Sequence, residues 1–512
     1  MSLEPGFDAF AAGYDAGLPQ LVWTRLIDDL ETPVSAYLKI GHGRPYAFLF
    51  ESVEGGAWRG RYSIVAMKPD VVWRCRGDQA EIAHGDDIAA GRFSPLAGGA
   101  LDTLRDLIAQ SKMELPAGLP PMAAGIFGAL GYDTVRLVEK LPDINPDALG
   151  LPDGIMTRPS IVAVFDAIAQ EIVLTTTARP APGVSAKDAY AAARERIESV
   201  MADLRRPLAH DAPRAPQGPM EFTTPVSRED YREVVEKAKE YIRAGDIFQV
   251  VPSHRFRAPF GQDAFALYRS LRRTNPSPFL FFLDLDGFNL VGSSPEILVR
   301  LRDGKITIRP IAGTRPRGAT PEEDLALEKE LLADPKERSE HLMLLDLGRN
   351  DVGRVAMLGQ SGHNSGARPG KGGANVRVTD SFTIERYSHV MHIVSNVEGD
   401  APQNVDPVDV LMAALPAGTL SGAPKVRAME IIDELEVEKR GIGYAGAVGY
   451  IGADGSVDTC IVLRTALVKD GMMYVQAGGG VVADSDPDAE YDETLHKSRA
   501  LKRAAEEAWR FA

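Results

Sequence analysis

GIGYAGAVGYIGADGSVDTCIVLRTALVKDGMMYVQAGGG, from Gly441 to Gly480, reads as three successive strands joined at Asp454-Gly455 and Asp470-Gly471. Asp-Gly between apolar runs is a hairpin signal, because both residues tolerate the left-handed backbone that a tight β-turn needs. The stretch predicts an antiparallel meander. Arg464 stands in its middle strand, where a lone guanidinium is costly unless an anion meets it; an internal salt bridge is the competing explanation. The meander ends on Gly478, Gly479 and Gly480. It then passes through Asp486-Pro487, a cap and first-turn signal, into the helix AEYDETLHKSRALKRAAEEA. Glycines ahead of a helix can present N–H groups to a carboxylate or phosphate, although three glycines alone also serve a tight turn.

On that terminal helix Glu490, Glu493, Thr494 and Lys497 recur at helical spacing, and an earlier stretch repeats the pattern. In DPKERSEHLMLLDLGRNDVGR, Asp334 to Arg354, Glu337, Glu340, His341 and Leu344 share one helical face. Carboxylates among so much apolar side chain are expensive to bury unless paired or holding a cation; a solvated helix edge is the alternative. Two facing E-x-x-E helices supply oxygen-only ligands, which suits Mg²⁺. A di-iron site normally pairs Glu with Glu-x-x-His inside a helical bundle, and the strand content disfavours it.

Further upstream, FLFFLDLDGFNLVGSSPEILVRL and KITIRPIAGTRPRG continue the strand pattern, with Glu296 just after Ser-Pro at a strand entrance. SREDYREVVEKAKEYIRAGD reads as a helix capped by Ser227 and Asp230. Between Tyr46 and Ile82 the runs YAFLF, YSIVAM and VVWRC are short strands, the first ending at Glu51 and Ser52, and AKDAYAAARERIESVMADLRR is a helix. Pro207 to Met220 is proline-rich without apolar periodicity. It divides an amino-terminal lobe, 1–206, from a second lobe, 221–512, with 207–220 as the linker. The glycine-rich 361–375 segment is expected to be a mobile loop without chemistry.

At 512 residues and a formal net charge of −15, the chain is large enough for a deep pocket and unsuited to nucleic acid or an anionic membrane. Only Cys75 and Cys460 are present, without metal or disulfide spacing, and no basic-apolar leader or membrane-length run occurs. A cytoplasmic protein is expected.

The strings PIAGTRPRG, DPKERSEHLMLLDLGRNDVGRV, ERYSHVMHIVSNVEG, LPAGTLSGAPKVRAMEIIDELE and QAGGGVVADSDPDAEYDET resemble those of the chorismate-utilising enzymes, over roughly Val226 to Ala505. The amino-terminal lobe resembles the family more loosely. The resemblance implies an α/β fold of the α+β type, a large sandwich of antiparallel β-sheets with helices outside and one buried active site. It implies Mg²⁺ ligated by Glu340 and Glu493, with Glu337 and Glu490 assisting through water, holding the ring carboxylate of chorismate. Arg464, Tyr444 and the amides of Gly478 to Gly480 match the cradle for the enolpyruvyl carboxylate, with Lys497 nearby and Thr419 as a hydroxyl contact. Glu296 matches the general acid for the departing C4 hydroxyl, a role that needs a neutral carboxyl. His392 matches a residue tied to pyruvate elimination; a hydrogen-bonded structural histidine competes.

Two positions separate branches of the family. Covalent aminodeoxychorismate synthases carry a lysine nucleophile where this chain has Ala312. Isochorismate and salicylate synthases carry a water-activating lysine where it has Gln249, and an amide cannot act as that base. The implied reaction is ammonia attack at C2, loss of the C4 hydroxyl and elimination of pyruvate to give anthranilate, with a folate-directed aminodeoxychorismate synthase of the non-lysine kind as the alternative. Neither cysteine has a glutaminase setting, so ammonia is expected from a separate glutamine amidotransferase subunit, in a heterotetramer of two large and two glutaminase chains. Tryptophan feedback is implied at Glu51 and Ser52 with the strand around Pro278; a strand end capped by polar residues is the alternative.

Overall fold

Three Asp-Gly pairs set hairpins of one kind, and a fourth pair, Asp454-Gly455, turns Ala447–Gly452 into Val457–Ile461 with only its glycine at positive φ. Asp286-Gly287, Asp303-Gly304 and Asp470-Gly471 all have positive φ at both residues (54° and 102°, 51° and 69°, 50° and 71°), the turn whose twist matches paired strands. In the computed structural model of the chain, which describes residues 2–52, 60–208, 218–357, 375–387 and 390–511, these hairpins belong to one large curled antiparallel sheet. Its centre is the long strand pair Tyr62–Arg76 and Gly154–Asp166. One arm leaves it through Phe48–Glu51, Phe279–Asp284, Phe288–Ser294, Thr465–Lys469, Met472–Gly478 and Ser253–Pro259. The other leaves through Gly125–Leu130, Ala447–Gly452, Val457–Ile461, Ile297–Arg302, Lys305–Ile308 and Val390–Asp400.

The arms share an apolar interior: Phe281, Leu290 and Leu467 from one join Phe127, Val448 and Cys460 from the other in a single buried cluster. Each fully buried side chain of this size contributes about 2 kcal/mol. Helices cover the outer faces. Phe7–Asp15, Pro33–Ile40, Ala186–Leu204, Ala264–Thr274 and Pro487–Glu507 contribute to one outer core. Ala100–Ser111, Pro335–Met357 and Pro407–Ala414 contribute to the other. The expected sandwich of antiparallel sheets with helices outside is what the chain forms. Strands from both sides of the 207–220 connection lie in the same sheet, with Phe48–Glu51 on Phe279–Asp284 and Gly125–Leu130 on Ala447–Gly452. Most of that connection, and nearly all of the 361–375 segment, lie outside the described residues.

The meander needs one correction. Its middle strand is two: Val457–Ile461 pairs with Ala447–Gly452, and Thr465–Lys469 pairs with Met472–Gly478 in the other arm. The chain crosses between arms at Val462–Arg464, where Arg464 has φ 50°. Phe288–Ser294 and Ile297–Arg302 are divided in the same way at Pro295-Glu296. Proline lacks the N–H a ladder needs, which makes it a natural breaking point. Glu296 and Arg464 thus both leave the ladder where the sheet splits.

Candidate active site

At that split lies a cavity of about 750 Å³. The Glu337 and Glu340 helix, Pro335–Met357, begins with Asp334 accepting from the N–H groups of Lys336 and Glu337 at 2.9 and 3.3 Å. The terminal helix begins with Asp486 accepting from Ala489 N at 2.9 Å, with Pro487 in its first turn. These caps fix where each E-x-x-E face starts. Both faces open on the cavity, and Glu337, Glu340, Glu490 and Glu493 line it together with Gln249, Pro278, Glu296, His392, Thr419, Tyr444, Arg464, Gly478, Gly480 and Lys497. His341 leaves the stripe: it is fully buried against the Phe382 ring, bonded to Ser395 Oγ at 2.6 Å, and burial pushes its imidazole down to about 4.

Burial makes Glu296 an acid. Its carboxyl is pushed up to about 8 by desolvation, against the smaller opposing effects of a hydrogen bond from Thr419 Oγ1 at 3.2 Å and the charge of Lys497. It therefore holds its proton at neutral pH. Arg464, enclosed by the protein but open to the cavity, makes neither ion pair nor hydrogen bond through its guanidinium among the described residues. The internal salt bridge that competed for it is not formed, and burial draws its pKa down while Tyr444 and Glu493 oppose that. A cation held without an internal partner is a ready anion site. His392 Nδ1 lies 3.0 Å from Thr314 Oγ1 and 3.2 Å from the Gly313 carbonyl, with burial lowering its pKa. Donation to that carbonyl puts the proton on Nδ1 and leaves Nε2 an acceptor.

Glu340 and Glu490 are the two of the four carboxylates that burial shields from water, and each also feels a neighbouring carboxylate. Glu340 is raised by burial, then by Glu337 and Glu493. Glu490 is raised by burial, partly offset by Ser485 Oγ donating at 2.7 Å, and its Oε2 is buried without a partner. Two of the four are engaged by cations. Lys497 sits 2.7 Å from Glu493 and also donates to the Gly478 carbonyl at 2.9 Å, while Arg315 bridges Glu337, Asp334 and Glu330 at 2.8 to 2.9 Å. No three carboxylates among the described residues converge into a closed ligand set. An orphaned buried carboxylate oxygen amid oxygen-only donors nonetheless fits a hard cation that keeps several waters and takes a ligand from its substrate.

The glycines depart from the expected cradle of three free amides: Gly478 and Gly480 line the cavity and Gly479 does not. Gly479 N–H donates to the Pro252 carbonyl at 3.3 Å, so it is not free for a ligand. What the glycine permits is close approach: a Cβ at Gly479 would meet Glu490 Oε2 at 2.7 Å, and one at Gly480 would meet Gln249 Nε2 at 2.5 Å. Gln249 is itself buried with Oε1 unpartnered.

The three residues expected at the inhibitor site divide. Glu51 is buried and accepts from Tyr268 Oη and from Arg272 at 2.8 and 3.1 Å. Ser52 Oγ accepts from Gly60 N at 2.8 Å. Glu51 faces Leu280 across the ladder, two residues beyond Pro278, but Pro278 itself lines the main cavity. Sequence reasoning passed over Asn275, Thr314, Arg315, Lys336, Gln476 and His496. All but Arg315 line the cavity. Only Lys336 and His496 carried a signal, standing beside or within an acidic motif.

A two-layer sheet split around a neutral carboxyl, an unpaired guanidinium and an acidic quartet defines an enzyme for a small anionic substrate, and the chain belongs to the family described as chorismate binding enzyme, matched over residues 50–503. Its relatives narrow the branch. It is 57% identical over 508 residues to anthranilate synthase component 1 of Cereibacter sphaeroides, covering 99% of this chain and 98% of that one. It is 46% identical to the protein of the same name from Pseudomonas aeruginosa, covering 93% of each. The crystal structure of anthranilate synthase component I from Streptococcus pneumoniae matches with a TM-score of 0.74 at 34% identity, covering 93% of this chain and 98% of that chain.

Proposed function

We infer that this chain is the aminase component of anthranilate synthase, converting chorismate and ammonia to anthranilate and pyruvate. The observation that carries the reading is Glu296, a carboxyl kept protonated by burial inside an otherwise anion-receiving cavity. It donates its proton to the C4 hydroxyl as that group departs. Arg464 meets the enolpyruvyl carboxylate, and Tyr444 and Gly480 complete the wall around it. Gln249 Oε1 can accept a hydrogen bond from ammonia but cannot deprotonate water, and Ala312 offers no nucleophile. After amination, Nε2 of His392, left an acceptor when Nδ1 donates to the Gly313 carbonyl, would take the C2 proton as pyruvate is eliminated. The names of the relatives do not favour the aminodeoxychorismate alternative.

Glu340 and Glu493 would hold Mg²⁺, with Glu337 and Glu490 assisting through water. Once bound, the ion supplies positive charge for the ring carboxylate of chorismate. The ammonia source is a separate glutaminase, in a heterotetramer of two chains of each kind: both cysteines here are buried, and burial pushes the Cys75 thiol up to about 12 and Cys460 well above its usual range, which leaves neither a nucleophile. Tryptophan would bind at the amino-terminal lobe near Glu51 and Ser52, with the strand around Pro278 contributing, and would favour a different arrangement of the lobes from chorismate. The enzyme works in the cytoplasm; no helix among the described residues is long and apolar enough to cross a membrane. The deciding experiment incubates the purified chain with chorismate, Mg²⁺ and ammonium at alkaline pH and follows anthranilate fluorescence and pyruvate. A 4-amino product, isochorismate or salicylate would move it to another branch.

A further inference from the structure

Arg440 is 2% exposed, the most completely buried charged side chain beneath the cavity, and it touches no cavity space itself. Its guanidinium joins segments far apart in the chain. Nη1 donates to the Leu420 carbonyl at 2.6 Å, Nη2 donates to the Val251 carbonyl at 2.7 Å, and Nε and Nη2 both reach Glu436, at 3.1 and 2.6 Å. The cation lies over the Tyr132 and Tyr444 rings, 4.7 and 5.3 Å from their centres. All of these contacts but the Tyr132 ring lead to a wall of the site, and Tyr444 and Leu420 line it themselves. Leu420 follows Thr419, whose hydroxyl donates to Glu296. Val251 lies two residues beyond Gln249. Glu436 Oε1 also accepts from Ser253 N and Oγ at 2.8 Å, and Ser253 is the ladder partner of Gly478.

We propose that Arg440, braced by Glu436, is a positioning residue that clamps the Thr419 turn, the Gln249 segment and the glycine strand into one catalytic geometry and acts on Glu296 through Thr419. A guanidinium suits the task because its planar fork donates in several fixed directions at once, which an ammonium cannot do. Buried ion pairs are poor devices for stability alone, since apolar replacements of similar volume often do as well. A misplacement near 1 Å at a reacting group costs about 100-fold in rate, so loosening this clamp is felt in kcat. The proposal rests on the reading of Glu296 as the acid.

The test uses Arg440→Lys, Thr419→Val and their combination in the full chain with chorismate, Mg²⁺ and ammonium. Arg440→Lys is expected to lower kcat about 10- to 100-fold with much less change in KM for chorismate. The charged group acting on Glu296 is Lys497, and the Thr419 hydrogen bond opposes the upward push of burial. Losing that bond should therefore move the alkaline limb of the kcat profile to higher pH, equally in Thr419→Val, Arg440→Lys and the double variant. Losses that multiply in the double variant, or an alkaline limb that stays at the wild-type position, overturn the proposal. Arg440→Met with Glu436→Leu removes the pair without leaving a lone buried charge and guards against misfolding; wild-type kcat in that variant also overturns it. Failure of the wild-type chain to make anthranilate would instead sink the functional reading.

Discussion

Replacing Glu296 with Gln keeps the size of the side chain and its acceptor for Thr419 but removes the transferable proton. General acid catalysis is worth about 10²- to 10⁴-fold, so kcat should fall by that factor, about 3–5 kcal/mol in the barrier. The same substitution has an opposite effect on stability, and its size follows from the structure. The folded carboxyl sits at about 8 against an ordinary 4.5. Between those values the folded chain keeps a proton that the unfolded chain has lost. Stability is therefore highest below about pH 4.5 and falls by about 1.4 kcal/mol per unit as pH rises through this window, until it levels above pH 8. At pH 7 the accumulated loss is about 3 kcal/mol and above pH 8 about 5 kcal/mol. Glutamine does not titrate, so the variant should gain on the wild type by about 3 kcal/mol between pH 5.5 and 8 and by nothing further. Urea unfolding across that range, beside initial rates of anthranilate fluorescence, reads both effects. A stability difference that does not change with pH, or a variant that keeps more than a tenth of kcat, would refute the assignment of a buried, protonated acid.

Arg464→Leu removes a guanidinium that has no internal partner; the melting temperature should hold or rise while KM for chorismate increases about 10- to 100-fold, the loss of a charged hydrogen bond, and a fall in stability would show a hidden structural role. Glu493→Gln should abolish Mg²⁺-dependent turnover while tryptophan binding, followed by calorimetry, stays measurable; undiminished activity removes the metal site proposed here. Gly479→Ala places a Cβ 2.7 Å from Glu490 Oε2, so Glu490 must move, and the Mg²⁺ concentration for half-maximal rate should rise about tenfold in a folded protein. Glu51→Ala strands Tyr268 and Arg272 and should cost about 1–3 kcal/mol, read as a lower urea midpoint, so any relief from tryptophan inhibition in that variant has to be compared at equal folded fraction.

Local chemistry made most of the architecture readable in the sequence. Asp-Gly pairs specify hairpins because of their own backbone preferences, and Ser227 with Asp230 form the expected cap, which the structure shows as a reciprocal capping box. Asp334 and Asp486 start the two acidic helices for the same local reason, and helical spacing placed each pair of carboxylates on one face. The residue types needed for an anionic substrate and a hard cation were thus present in order along the chain.

Tertiary structure decided what those residues can do, because burial and charge are set by neighbours hundreds of positions away. Hydropathy pattern cannot show that the meander's middle run changes sheet arm at Arg464, since both halves are short, mostly buried strand segments and only the partner strands differ. Desolvation by segments from across the sequence turns Glu296 from an ordinary carboxylate into an acid near pH 8. Lys497 and Arg315 engage two of the acidic quartet and leave Glu490 Oε2 alone, Pro252 takes the amide of Gly479, and Arg440 gathers the walls of the cavity from beneath. The sequence by itself determined which groups are available and on which local face. The fold alone decided which of them are neutral, which are paired and which face the same 750 Å³, since the energy of a charge depends on the whole shell around it and not on its place in the chain.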